Sequence, residues 1–258
     1  MQPYELNWVR LPLERAYNVR ELGGYPVPGG QTAYHRFLRG DDLSALTDTD
    51  VEFLRGYGVT TVLDLRSEAE SLRAPNRMAG QTGVSYYRIP LMGRDITDAT
   101  QVTPVDLGTD IGRLYLVMLE QRDMIREIFS LLAAAPEGCV LFHCAAGKDR
   151  TGILAMLLLS LAGADREDCM TNYAQSYPNL CRNRALFDTY PRADFPGMER
   201  FRYSHPESIL PSYELIMERF GGTARFLEFC GISPSEVAAI RARLLGAERS
   251  KKVPDFLS

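Results

Sequence analysis

The chain has 258 residues, enough for one large domain or two small ones with a substantial core. Its 45% hydrophobic and 24% charged content is that of a soluble globular protein, and a formal charge of −4 argues against nucleic acid or an anionic membrane as a wholesale partner. Five scattered cysteines without a Cys-x2-Cys pair, and three histidines, do not suggest a disulfide framework and speak against a zinc site.

Residues 1–20 lack the basic start and apolar centre of a signal peptide, and no integral membrane segment is expected, so a cytoplasmic, reducing location is the default. Across 1–45, four prolines and the pairs Gly23-Gly24 and Gly29-Gly30 break any long element, which reads as an irregular stretch with a turn-rich edge hairpin. Arg39, Asp41 and Asp42 fit either a support for a site or a solvated charge cluster. A helix is expected from Asp48, capped by Thr47 with Asp50 in the reciprocal place and stopped by Gly56 and Gly58.

The β-rich run 59–65 predicts a central strand that ends in Asp64-Leu65-Arg66-Ser67. In open α/β sheets ligands sit at that edge, so Asp64 and Arg66 are candidates to touch a site, or an ion pair anchoring the strand end. Residues 68–80 predict a short helix interrupted by Pro75, 84–90 another strand, and 91–108 a loop. Apolar residues at helical spacing through 110–135 predict one or two helices on the sheet.

Cys139-Val140-Leu141-Phe142 predicts a buried strand and 153–162 a buried helix, with His143-Cys144-Ala145-Ala146-Gly147-Lys148-Asp149-Arg150-Thr151-Gly152 as a tight loop between them. Such a loop aims several backbone N–H groups at one point with a helix dipole behind them, which makes an anion cradle for phosphate. Cys144 adds a thiol whose surroundings favour the thiolate nucleophile. Arg150 adds a fork that can hold two phosphoryl oxygens at once. Thr151 can hydrogen-bond the thiolate at rest and support it as a leaving group, and Gly147 lets the chain turn with its amides inward. Lys148 projects from the same loop, where it can meet a second phosphate.

Cys-x5-Arg followed by Thr and preceded by His resembles the signature of the cysteine-dependent protein tyrosine phosphatase superfamily. The Gly147-Lys148-Asp149-Arg150-Thr151 version looks like the bacterial tyrosine/serine phosphatases of the atypical dual-specificity group, some of which also hydrolyse phosphoinositides. Asn18–Tyr25, Phe37–Asp41 and Asp64–Ser67 resemble the same group, and the likeness runs from about residue 15 to 246.

The resemblance implies one α/β phosphatase domain over 1–258, tyrosine-phosphatase-like, with a central mostly parallel sheet flanked by helices. It also implies a helical lid or substrate insert at 178–211 that offers Arg182 and Arg184 to an anionic group. Cys144 is the expected nucleophile, with Ala145, Ala146, Gly147, Lys148, Thr151, Arg150 and Arg66 around the phosphate and His143 and Asp64 behind it. No metal or cofactor is required, because the loop and Arg150 supply the charge stabilisation. The substrate is a phosphorylated protein or a phosphoinositide.

Ordinary tyrosine phosphatases protonate the leaving group from a Trp-Pro-Asp loop, and Trp8 is in no such motif. Members with Lys-Asp-Arg are thought to use the loop's own Asp, here Asp149. Its other role would be to brace the loop by accepting backbone hydrogen bonds, and Asp64, Asp106 and Asp110 stay open as alternative acids. After Asp165, a cap for a helix over 166–177, the chain reads as irregular and aromatic to Pro211. Helices over 213–220, 223–230 and 234–245 follow, then a frayed tail at 249–258.

A phosphate-binding pseudophosphatase and an inositol-polyphosphate phosphatase remain alternatives; dead members usually lose the Cys, the Arg or the acid, and none is lost here. A P-loop nucleotide hydrolase fails, since Asp149 follows Gly147-Lys148 where Ser or Thr belongs and Phe142 replaces the first glycine. Sulfur transfer and arsenate reduction are disfavoured by the Arg150-Thr151 ending.

Overall fold

An apolar run that ends in one polar residue builds the middle of the protein. Cys139–His143 is strand β7, buried along its whole length. In the computed structural model, which describes residues 9–91, 111–183 and 203–246, β7 lies at the centre of a five-stranded sheet. The order is β1 (Arg20–Glu21), β4 (Phe37–Gly40), β7, β5 (Val59–Asp64) and β6 (Ser85–Arg88). Strands β4, β7, β5 and β6 run parallel, and β1 is an antiparallel edge. A separate hairpin pairs β2 (Pro26–Val27) with β3 (Gly30–Gln31). This is the mostly parallel α/β sheet that the sequence led us to expect.

Register places the site. Gly40 pairs with His143 and His143 with Asp64, so β4, β7 and β5 finish side by side at one edge. Side chains alternate faces along a strand. Val140, Phe142 and Cys144 accordingly enter one core, while Cys139 and Leu141 enter a second on the other face.

The first core is covered by α3 (Ile111–Glu120), α4 (Arg122–Ala134), α5 (Asp149–Ala162), α6 (Arg166–Ala174), α8 (Pro206–Phe220), α9 (Thr223–Phe229) and α10 (Pro234–Leu244). The second packs under α1 (Asp48–Gly56). The remaining helices are α2 (Glu68–Arg73) and α7 (Ser176–Leu180).

Local signals explain the helix ends. Thr47 and Asp50 close a capping box on α1, and the Asp50 carboxylate also accepts from Glu14 N at 2.7 Å and Arg15 N at 3.1 Å. Ser67 with Glu70 and Ser233 with Glu236 do the same for α2 and α10, and Asp165 caps α6. Helix α2 stops before Pro75, as expected.

Three expectations need correction. The stretch 1–45 is not merely irregular: β4 is a fully buried strand, because its partner β7 supplies the pairing that no local pattern announces. Helix α5 begins at Asp149 rather than after Gly152, since a first helical turn needs polar partners and no apolar face. Helix α8 begins at Pro206 and carries Pro211 inside it, where an irregular run was expected. Pro206 opens the helix without losing a bond, and burial of Ile209, Ser212 and Ile216 outweighs the bond lost at Pro211.

The 166–177 helix divides into α6 and α7, and 110–135 holds two helices. Residues 92–108 of the expected loop, most of the 178–211 insert with Arg184, and the 249–258 tail lie outside the described residues, as do Asp106 and Asp110. Among the described residues no helix is long and apolar enough to cross a membrane.

Leu141→Ala, in the second core and away from the site, should cost about 2–5 kcal/mol of unfolding free energy. Chemical denaturation measures it, and a loss below 1 kcal/mol would mean that this face collapses around the cavity.

Candidate active site

Cys144 directly follows β7, and the chain turns at once into α5, so residues 144–148 are a short loop over the sheet edge. What gives the loop its chemistry is how its carbonyls are held. Ala145 O accepts from Asp42 N at 3.0 Å. Ala146 O and Gly147 O accept from Asn18 Nδ2 at 3.0 and 3.1 Å. Arg39 Nη2 reaches Gly147 O at 2.7 Å and Lys148 O at 3.4 Å.

A trans peptide plane carries its C=O and the next N–H on opposite sides. Four carbonyls drawn to the back therefore turn the N–H groups of residues 146–149 to the front. Gly147 makes the turn possible with φ +64, and any Cβ there would collide with the Gly40 carbonyl and Asp41 N.

The back layer is itself buried and braced. Arg39 Nη1 donates to Asn172 Oδ1 at 2.5 Å, while Arg20 Nη2 donates to Asn172 O at 2.7 Å and Ser176 Oγ at 3.0 Å. Arg20 also bonds Asn18 Oδ1, which orients the Asn18 amide. Asp41 fixes that segment by accepting from Tyr17 N and Asn18 N, both at 2.9 Å. Burial pushes the Arg39 guanidinium down to about 10 and the Asp41 carboxyl up to about 6. Among the described residues neither Arg20 nor Arg39 has a carboxylate within ion-pair distance.

Arg150 stands in the first turn of α5 and is clamped by Glu70, with Nη1–Oε2 at 2.6 Å and Nη2–Oε1 at 2.7 Å. Burial would lower the guanidinium, but Glu70, Cys144 and Asp149 outweigh it and push it up. The same Glu70 carboxylate accepts from Ser67 N at 2.8 Å. One side chain thus caps α2 and aims the arginine, whose Nη1 also reaches Leu65 O at 3.4 Å, leaving the Nε and Nη2 edge of the guanidinium for a ligand.

Arg66 does not reach into the cradle. Its Nε and Nη2 chelate Asp64 at 2.7–3.1 Å, and Nη1 donates to Asp42 at 2.8 Å and Ala74 O at 3.0 Å. The expected phosphate contact is corrected to the strand-end ion pair, because every arm of the buried guanidinium is occupied. Burial would raise the Asp64 carboxyl, yet His143 and Arg66 hold it well below the usual carboxylate range. A group held so firmly ionised is a poor proton donor. His143 lies behind the loop, Nε2 2.8 Å from Asn76 Nδ2 and 3.5 Å from Asp64 Oδ2, and Nδ1 3.2 Å from Cys144 O.

Lys148 also departs from expectation. Its side chain is buried rather than projecting, with Nζ donating to Tyr203 O at 3.2 Å and 3.5 Å from Asp149 Oδ1. The reason is the start of α5, which directs that position toward the segment before α8. Asp149 keeps about a quarter of its side chain exposed, and its Oδ1 accepts from Tyr115 Oη at 2.5 Å.

Cys144 is 2% exposed at the base of the loop. The resting bond expected from Thr151 to the thiolate is not made: among the described residues Thr151 Oγ1 is buried without a hydrogen-bond partner. Among the described residues no group of three or more His, Cys, Asp or Glu is placed to hold a metal ion.

Asn18, Glu70, Tyr115 and Asn172 were missed as contributors. Only Glu70 had a local signal, the Ser67-x-x-Glu70 capping pattern directly after Asp64-Leu65-Arg66. The others act across more than thirty positions of sequence.

Residues 11–246 match a family model described as the tyrosine phosphatase family. The chain is 32% identical over 220 residues to a tyrosine-protein phosphatase of Nostoc commune, covering 81% of this chain and 74% of the relative. It is 27% identical over 281 residues to the triple specificity protein phosphatase PtpB of Mycobacterium tuberculosis, covering 91% and 98%. Among solved structures, P. aeruginosa TpbA is similar at a TM-score of 0.37 and 20% identity, covering 65% of this chain and 78% of that one.

The Asp64 network carries a pH prediction. A carboxyl lowered by folding stabilises above its unfolded value of about 3.9, and that contribution is lost as pH falls below it. Asp64→Asn should cost about 3–5 kcal/mol at pH 7 by leaving the buried Arg66 without its chelating carboxylate, with Asp42 as its one remaining ion-pair partner among the described residues. Denaturation at pH 7 and pH 3 should show the gap to the parent narrowing at pH 3. A gap of constant size would assign the acid sensitivity to another group.

Proposed function

The chain belongs to the tyrosine phosphatase family, and from that premise we propose that it is a metal-independent phosphomonoester hydrolase working through a cysteinyl-phosphate. The observation that carries this reading is the loop whose four carbonyls are held from behind, with Cys144 at its base and Arg150 clamped beside it.

The Cys144 thiolate attacks phosphorus in line, forming the S–P bond as the P–O bond to the leaving group breaks. The N–H groups of 146–149 and the free edge of Arg150 hold the equatorial oxygens, where charge accumulates. Asp149 gives its proton to the leaving oxygen. Water then attacks the phosphocysteine, Asp149 takes the proton back, and the thiolate leaves with the unpartnered Thr151 hydroxyl to receive it. Asp149 suits this role better than Asp64, being partly exposed and bonded through one carboxyl oxygen by a phenol rather than chelated by an arginine.

Phosphotyrosine and phosphoserine or phosphothreonine in proteins are the substrates we favour. The sequence-level hint toward phosphoinositides was Lys148, whose ammonium is spent on Tyr203 O and Asp149. A relative named for triple specificity keeps lipid headgroups in the test.

The test is phosphate release in EDTA from phosphotyrosine and phosphoserine peptides and from short-chain phosphoinositides, with Cys144→Ser as the blank. Peptide turnover should vanish in the blank while peptide binding persists. Asp149→Ala should slow the phosphoserine peptide by about a hundredfold or more and p-nitrophenyl phosphate far less, because only the poor leaving group needs the proton. Equal slowing of both would give Asp149 the bracing role. Lipid release matching peptide release would make this a phosphoinositide phosphatase as well, and no release above the blank would leave a phosphate-binding pseudophosphatase.

A further inference from the structure

Asp149 is one end of a buried line of hydroxyls. Tyr115 Oη lies 2.5 Å from Asp149 Oδ1 and 2.6 Å from Tyr173 Oη, with the two rings edge to face at 5.9 Å between centroids. The three residues come from α3, α5 and α6, and both tyrosines are buried. The line is closely fitted. Gly152, one turn along from Asp149, has no Cβ, and one there would press on the Tyr173 ring at 3.0 Å. Lys148 Nζ, 3.5 Å from Oδ1, and the Arg150 guanidinium are the other charged groups that face this carboxyl.

The proton order in the line is fixed by valence. An ionised carboxylate can only accept, so Tyr115 donates to Oδ1 and must itself accept from Tyr173. Burial first, and then Asp149, push the Tyr115 hydroxyl well above its ordinary range, and burial does the same to Tyr173. Both phenols therefore stay protonated and act as permanent donors. With Oδ1 occupied by Tyr115, a proton on Asp149 belongs on Oδ2.

We propose that Tyr115, backed by Tyr173, is a positioning residue that holds Oδ1 of Asp149 and so presents the acid proton on Oδ2 to the leaving oxygen. Tyr115 keeps its own proton throughout; only the Oδ2 proton moves. This rests on the reading of Asp149 as general acid. The line spans a helix on each side of α5, so the position of the acid depends on how α3 and α6 pack.

The experiment compares kcat and KM at the pH optimum for the full chain and for Tyr115→Phe, Tyr173→Phe and Asp149→Asn, on a phosphoserine peptide and on p-nitrophenyl phosphate. Tyr115→Phe should lower kcat on the peptide by about tenfold at its optimum and change KM less than about twofold. Its effect on p-nitrophenyl phosphate should be small. Tyr173→Phe should act in the same directions and less strongly, which keeps the test decisive if Tyr115→Phe folds poorly.

Equal slowing of both substrates by both variants, or an effect carried in KM rather than in kcat, would reduce the line to packing and overturn the inference. Equal slowing of both substrates by Asp149→Asn would instead remove the acid reading, and the role of Tyr115 with it.

Discussion

The structure depends on the capture of the 145–148 carbonyls from behind by Asp42, Asn18 and Arg39. Backbone N–H groups have no preferred target of their own; they face the front only because the other side of each peptide plane is tied to the back. The cost is a pair of buried guanidiniums, Arg20 and Arg39, set among neutral acceptors rather than carboxylates. A carboxylate there would have given a tighter pair and a rival negative charge under an anion cradle. Carbonyl, amide and hydroxyl oxygens satisfy the Nη donors and leave the net positive charge in place, while among the described residues the Nε of each arginine has no partner.

Three neighbouring arginines are consequently used in three ways. Arg39 orients the loop by bonding its carbonyls. Arg66 is closed into an ion pair with Asp64 and Asp42 and stiffens the end of β5. Arg150 is the one aimed by a carboxylate, Glu70, with an edge left over. The difference does not come from residue type. It comes from how many acceptors each guanidinium meets before it reaches the cradle.

The sheet decides where these meet. Parallel β4, β7 and β5 end together, so Asp41 and Asp42, Cys144, and Asp64 with Arg66 all emerge at one edge. The alternation of β7 then sends Phe142 and Leu141 to opposite cores, which fixes the strand on both faces and holds the base of the loop rigidly. Helix α5, buried on nearly every side, carries that rigidity up to Arg150.

The sequence by itself determined the strand, loop and helix around Cys144, because each is a local pattern: an apolar run, a Gly-containing turn and a second apolar run. It also determined the capped starts of α1, α6 and α10, whose capping residues lie within three positions of the bonds they make. The family signature was legible for the same reason, being contiguous. Tertiary structure alone decided that Lys148 turns inward, that Arg66 is spent on Asp64, and that α8 continues through Pro211. It alone brought Asn18, Tyr115 and Asn172 to the loop. Those outcomes depend on acceptors and packing surfaces supplied from distant parts of the chain, and a hydrogen bond or a buried face carries no mark in the sequence of the partner that completes it.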